Sequence, residues 1–123
     1  MVFTKRPLRI LIVDDDEADA YMVSEEIENH VVVVEHYMSC ALNRLKKEHF
    51  DLIITDISLP DSFGLKNIDK LKSYAPVLVM SGIGNGKMTA AAKRHGALGF
   101  ICKNNLKAIN WFVDSKTEPG HAQ

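Results

Sequence analysis

Residues 12–20 read IVDDDEADA, so an apolar, strand-like run ends abruptly in Asp14, Asp15 and Asp16, with Glu17 behind them. Two carboxylates a few Å apart repel by roughly 3 kcal/mol at an effective dielectric near 20. Such a cluster needs a counter-charge. Three later apolar runs also end in reactive groups: Asp56 follows LIIT, Ser81 follows VLVM and Lys103 follows GFIC. Clustered carboxylates with no His or Cys beside them form a hard, all-oxygen donor set suited to Mg²⁺. A lysine and a hydroxyl nearby would hold the remaining oxygens of a phosphoryl group. A central carboxylate could then take that group onto itself as an acyl phosphate. Taken singly, each residue has a plainer role. Asp16 reads as a helix N-cap, Ser81-Gly82 as turn chemistry and Lys103 as a solvated strand end.

The elements that would position these groups follow from periodicity. Short apolar runs alternate with segments of helical period. LRILIV (8–13) precedes a helical segment over 16–29, with Ala20, Val23 and Ile27 on one face. VVVVE (31–35) precedes a helix with Ser39 as its expected cap and Ala41, Leu42 and Leu45 inward. FDLIIT (50–55) leads through a proline-containing loop to a helix from about Gly64, with Leu65, Ile68 and Leu71 inward. PVLVM (76–80) leads into SGIGNG and an Ala-rich helix carrying Met88, Ala91 and His95. LGFIC (98–102) precedes a last helix using Leu106, Ile109, Phe112 and Val113. Val31–Val34 fits a strand or part of a helix on pattern alone.

This is a (βα)₅ alternation. Near-continuous Val/Ile/Leu strands imply burial on both faces, hence a parallel sheet covered by helices on each side. Right-handed crossovers and the 123-residue length favour an open, three-layer, doubly wound α/β sheet over a closed barrel. In such a sheet ligands bind outside the carboxyl ends of the strands. That edge is where Asp14, Asp15, Asp56, Ser81 and Lys103 are expected to meet.

Composition narrows the alternatives. The length suits one domain spanning 1–123, with a core over about 8–113 and a polar tail over about 116–123. A net charge of −1 gives no sign of a nucleic-acid or anionic-membrane partner. The N-terminus lacks the apolar region of a secretory signal, and no apolar run is long enough to span a bilayer. Cys40 and Cys102 are expected as buried free thiols in the cytoplasm, and the scattered histidines suggest no metal site. GIGNGKMT (82–89) lacks the spacing of a phosphate-binding nucleotide loop. Lys87, Lys93 and Arg94 read as a solvated helix face.

With these residues in place, the chain from about Leu8 to Val113 resembles the receiver domain of two-component response regulators. The resemblance rests on VDDD (13–16), LIITDISLPDSFG (52–64), VLVMSG (77–82) and GALGFICK (96–103). It implies a flavodoxin-like strand order of 2-1-3-4-5. It further implies that Asp56 is the phosphoacceptor, with Mg²⁺ held by Asp14, Asp15, Asp56 and the backbone carbonyl of Ser58. Lys103 would pair with the phosphoryl oxygens, Ser81 would be the switch hydroxyl, Phe100 the switch aromatic, and Gly82 the small residue leaving room. Ser58 and Ile83 would lie where the phosphoryl lifetime is tuned. The implied partners are a histidine kinase or phosphotransfer protein, and a downstream protein meeting the fourth helix, fifth strand and fifth helix.

The chain departs from the family where proline usually follows the lysine: Asn104 stands there. A cis bond at a non-proline residue costs about 2.5–4 kcal/mol, so a trans bond is expected, with Lys103 or the last helix slightly displaced. The segment between Gly64 and Ser81 is also short for the family, and three asparagines (104, 105, 110) weaken the last helix. Two other readings stand beside this one. A receiver-like interaction module would never take a phosphoryl group. A phosphatase of the haloacid-dehalogenase type would use Asp14 and Asp16, but wants a hydroxyl where Ala18 stands.

Overall fold

In the computed structural model, which describes residues 6–84 and 86–117, every apolar run forms a strand. The elements are β1 (Arg9–Val13), α1 (Glu17–Glu26), β2 (Val31–Glu35), α2 (Met38–Leu45) and β3 (Leu52–Asp56). A small hairpin follows, β4 (Ser58–Leu59) and β5 (Ser62–Phe63), where the patterning suggested only a loop. Then come α3 (Lys66–Leu71), β6 (Val77–Ser81), α4 (Gly86–Arg94), β7 (Gly99–Cys102) and α5 (Ala108–Thr117). The main sheet is parallel, in the order β2-β1-β3-β6-β7. With the hairpin set aside this is the expected 2-1-3-4-5. The expected tail beyond 117 lies outside the described residues, and no described helix is long and apolar enough to cross a membrane.

Strand alternation divides the core into two layers. Ile10, Ile12, Leu52, Ile54, Leu78 and Met80 face α1 and α5, meeting Ala20, Val23, Ile109 and Val113. Leu11, Val13, Ile53, Val77 and Val79 face the other way, onto Met38, Ala41, Leu45, Ile68, Leu71 and Ala92. Each fully buried aliphatic side chain contributes about 1.5–3 kcal/mol, so the central strands are fixed in register from both faces. β2, at the sheet edge, is only partly buried, which explains its ambiguous pattern.

Several local expectations are corrected. The first helix ends at Glu26, and Asn29 takes a left-handed φ of 67°, a conformation asparagine tolerates better than most residues. Ala92 is the buried residue of α4, packed in a stripe with Met88, while His95 lies past the helix end and meets Asp69. Leu106 sits in the turn before α5. Cys40 is exposed and Cys102 half-buried. Cys40 lies two residues from Met38 and one from Ala41, off the inward stripe of α2.

Ser39 is not the cap of α2. The helix starts after Tyr37, which offers no side-chain cap. Asp61, in the turn of the β4–β5 hairpin, instead accepts the N–H groups of Met38 at 2.8 Å and Ser39 at 2.9 Å. Desolvation opposes ionisation of this carboxyl, but the two N–H groups outweigh it and hold its pKa below the usual range. A depressed folded pKa stabilises the fold above the unfolded value of about 3.9, and that stability is lost as pH falls through the folded value. Asp61→Ala is therefore expected to cost about 1–2 kcal/mol at neutral pH. Urea denaturation checks it, and the gap between the two chains should narrow below about pH 3.9.

Candidate functional site

The register carries the strand ends to one edge. Val13 pairs with Thr55, Asp56 with Met80, and Ser81 with Cys102. The ladder runs on past the strands: Asp14 N–H donates to Glu35 O at 3.0 Å, Ile57 N–H to Met80 O at 2.9 Å, and Lys103 N–H to Ser81 O at 2.8 Å. The backbones of Asp14, Asp56 and Lys103 are thus set by sheet hydrogen bonds as well as by the contacts of their side chains.

The side chains converge. Lys103 Nζ donates to Asp56 Oδ2 at 2.7 Å and to Asp19 Oδ2 at 2.7 Å. It also lies 2.9 Å from Asp14 Oδ2. Asp56 Oδ1 accepts the Ser58 N–H at 2.9 Å, so both oxygens of this carboxylate are aimed. Asp14 and Asp56 are buried and Asp15 is exposed, and one carboxylate oxygen from each of the three lies within 4.8 Å of the others. Asp16 caps α1 as expected, its Oδ1 accepting the Asp19 N–H at 2.9 Å.

Electrostatics follow from this crowding. Burial raises the Asp14 carboxyl pKa above its ordinary value, with Lys103 and the Asp16 N–H pulling the other way. Burial also disfavours the Lys103 ammonium, but Asp19, Asp56 and Asp14 outweigh it and hold the pKa above the ordinary lysine range. Asp14 Oδ2 is wholly buried and has, among the described residues, no hydrogen bond of good alignment, only the ion contact with Lys103. A buried carboxylate oxygen so placed, in an all-oxygen set, fits a hard divalent cation.

The other expected site residues are engaged with the loop after β6. Ser81 is half-buried, and its Oγ accepts the Ile83 N–H at 3.2 Å. Phe100 is half-buried with its ring against Gly84, so closely that a Cβ at 84 would collide with it. A Cβ at Gly82 would meet nothing within 4 Å, and Ile83 is exposed. The 103–104 bond is trans, as expected, since no cis peptide occurs among the described residues. Lys103 still reaches Asp56.

Sequence reasoning missed Asp19, Asp61 and Asn67. The buried Asn67 shares its Nδ2 among the carbonyls of Asp56, Ile57 and Ser62, while its Oδ1 accepts from Ser62 Oγ. It thereby fixes the backbone on both sides of the Asp56 loop. The signal was available: Asn67 lies four residues before Leu71, so it is a polar residue on the inward stripe of α3.

The chain is thus a doubly wound α/β domain with a lysine and an acidic triad that could hold a metal ion at the carboxyl edge of its sheet. Residues 10–109 match the family model for the response regulator receiver domain, and the chain belongs to that family. It is 28% identical over 102 residues to the two-component response regulator ARR10 of Arabidopsis thaliana, covering 78% of this chain and 18% of that protein. It is also 28% identical over 112 residues to the sensory/regulatory protein RpfC of Xanthomonas campestris, covering 84% of this chain and 15% of that protein. The chain therefore spans under a fifth of these relatives. A two-component response regulator from Clostridium difficile shares the fold with a TM-score of 0.82 at 20% identity, over 94% of this chain and 99% of that one.

Proposed function

We propose that this chain accepts a phosphoryl group on Asp56 from a phosphohistidine of a histidine kinase or phosphotransfer protein, and passes the signal on through its surface. The carrying observation is the Asp56 carboxylate, held between the Ser58 N–H and the Lys103 ammonium beside Asp14 and Asp15. Mg²⁺ would be held by Asp14, Asp15, Asp56 and the Ser58 carbonyl, where it supplies charge neutralisation to the transferring oxygens.

An Asp56 carboxylate oxygen attacks phosphorus in line as the P–N bond breaks and the imidazole leaves. The loose transition state asks chiefly for positioning and charge. Lys103 supplies both, since it already stands 2.7 Å from Asp56 Oδ2. A groove of about 460 Å³ lined by Tyr21, Met22, Lys103 and Leu106 flanks the edge and leaves a donor room to approach. The domain promotes its own phosphorylation and dephosphorylation, and it acts in the cytoplasm, in keeping with two free thiols.

The new phosphoryl oxygens then accept the Ser81 O–H and draw the hydroxyl inward, away from the Ile83 N–H that now donates to its Oγ. The loop over 81–84 shifts, and Phe100, packed on Gly84, repacks with it. This is a population shift between two packings, driven by the differential contacts of the phosphoryl group. The changed surface is that of α4, β7 and α5, which would meet a downstream protein and carries Trp111, 70% exposed. The interaction-module alternative draws on Asn104 and the weak last helix, and the intact Lys103–Asp56 contact supports transfer instead. The phosphatase alternative needs Asp16 as an acid, and that side chain is committed to the cap of α1.

Incubation with a small acyl-phosphate donor and Mg²⁺ is expected to add one phosphoryl mass by intact-mass spectrometry, and a chelator to prevent it. A chain that never gains that mass overturns the proposal.

A further inference from the structure

The spacing Asp16-x-x-Asp19 is that of a capping box, in which the second acid turns back to the N–H of the first. Here that N–H is already taken, donating to Asp14 Oδ1 at 3.0 Å. Asp16 still caps the helix by accepting the Asp19 N–H. The Asp19 carboxylate is thereby released from the cap. It turns to the sheet edge, where Oδ2 accepts Lys103 Nζ at 2.7 Å, as short as the bond from Lys103 to Asp56.

The ammonium's two well-aligned hydrogen bonds therefore go to Asp56 and Asp19, while Asp14 has only an ion contact. The Asp19 side chain is 38% exposed, against 10% for Asp56 and 0% for Asp14. It is the outermost of the three. Lys103 itself stands on a turn, followed by Asn104, and Asp19 gives its side chain a second anchor from α1.

We propose that Asp19 is a positioning residue for phosphoryl transfer: it holds the Lys103 ammonium from α1, and its charge sets the balance between cation and phosphoryl anion at Asp56. The inference rests on the proposed function. Asp19 and Asp56 share one ammonium at 2.7 Å each, so their bonded oxygens lie no more than about 5.4 Å apart. A carboxylate in that place favours a dication in the Asp14–Asp15–Asp56 triad and opposes an anion carried on Asp56. Asp19→Asn keeps an acceptor for Lys103 and removes the charge. The two affinities must then move in opposite directions, which loss of a purely structural contact does not produce.

The test titrates the whole chain with Mg²⁺ alone, and then with beryllofluoride at saturating Mg²⁺, following amide shifts by NMR. For Asp19→Asn, Mg²⁺ binding should weaken about two- to fivefold and beryllofluoride binding tighten about three- to tenfold. Asp19→Glu should restore the wild-type balance. Thermal melts establish folding, and Asp19→Gln replaces the Asn variant if that one does not fold. A wild type that binds both probes, with the neutral variant unchanged or shifted the same way for both, overturns this inference alone. A wild type that binds neither probe overturns the proposed function and this inference with it.

Discussion

An Asp56→Asn chain is expected to gain no phosphoryl group from a small donor under conditions where the wild-type chain gains one. The amide oxygen is too weak a nucleophile to replace a carboxylate, so the loss should be complete and not a slowing. Three neighbouring carboxylates are poorly placed to substitute, and the fourth, the exposed Asp15, is a proposed ligand of the cation. Asp14 is fully buried, Asp16 is bound to the first turn of α1, and Asp19 is bonded to the Lys103 ammonium. The fold should survive. The amide oxygen of the variant can keep one of the two hydrogen bonds now made by the Asp56 carboxylate, from Ser58 or from Lys103, and one negative charge leaves a crowded site. Stability should therefore change by less than about 1 kcal/mol, while Mg²⁺ affinity falls at least about tenfold through loss of a ligand. Intact mass reads the labelling, urea denaturation the stability and an NMR titration the Mg²⁺ affinity. Labelling that persists in the folded variant would place the phosphoryl group elsewhere and remove Asp56 from its role.

What the sequence disclosed and what it withheld divide along a physical line. β1, β3, β6 and β7 were legible because their apolar runs are short, β-branched and buried on both faces. Asp14, Asp15, Asp56 and Lys103 were legible for a related reason. Each follows such a run, and a parallel sheet delivers all its strand ends to one edge. Side chains whose partners come from distant elements left no such trace. The cap of α2 comes from Asp61, 22 residues away, because Tyr37 offers none and the hairpin brings a carboxylate to the helix start. Asp19 has the spacing of an ordinary first-turn acid, but the Asp14 carboxylate occupies the N–H it would turn to. Spacing places His95 on the fourth helix, but α4 ends at Arg94 and the ring meets Asp69 instead. Periodicity reports which face is apolar, and it is silent on which polar groups tertiary approach will pair.

Lys103→Met should produce the other large effect, and it separates catalysis from stability. Without the ammonium, Asp14, Asp19 and Asp56 lose their common partner, and Asp14 Oδ2 loses the cation 2.9 Å away. Removing one member of a buried charge cluster costs about 3–5 kcal/mol, with the lower figure expected here because Asp19 is partly in water. The pH dependence has a definite sign. Burial already holds the Asp14 pKa above its ordinary value, and Lys103 is among the groups that restrain it. Without that restraint the folded pKa rises further. The folded chain then binds more protons than the unfolded one from about pH 3.9 upward to the folded value, so stability falls as pH climbs through that window. The Lys103 ammonium, raised above the lysine range, stays charged throughout, so it adds no slope of its own to the wild type between about pH 4 and 8. The gap between the two chains should be widest near neutrality and narrow toward about pH 4. Mg²⁺ should return more stability to the variant than to the wild type, because a dication offsets the carboxylates left without a partner. Phosphoryl transfer from a small donor should slow by about 10²–10³, the loss expected for one preorganised charge at the reacting group. Urea denaturation across pH, with and without Mg²⁺, and the time course of intact mass measure both. A variant that is labelled at the wild-type rate would show that Lys103 serves the fold and not the transfer.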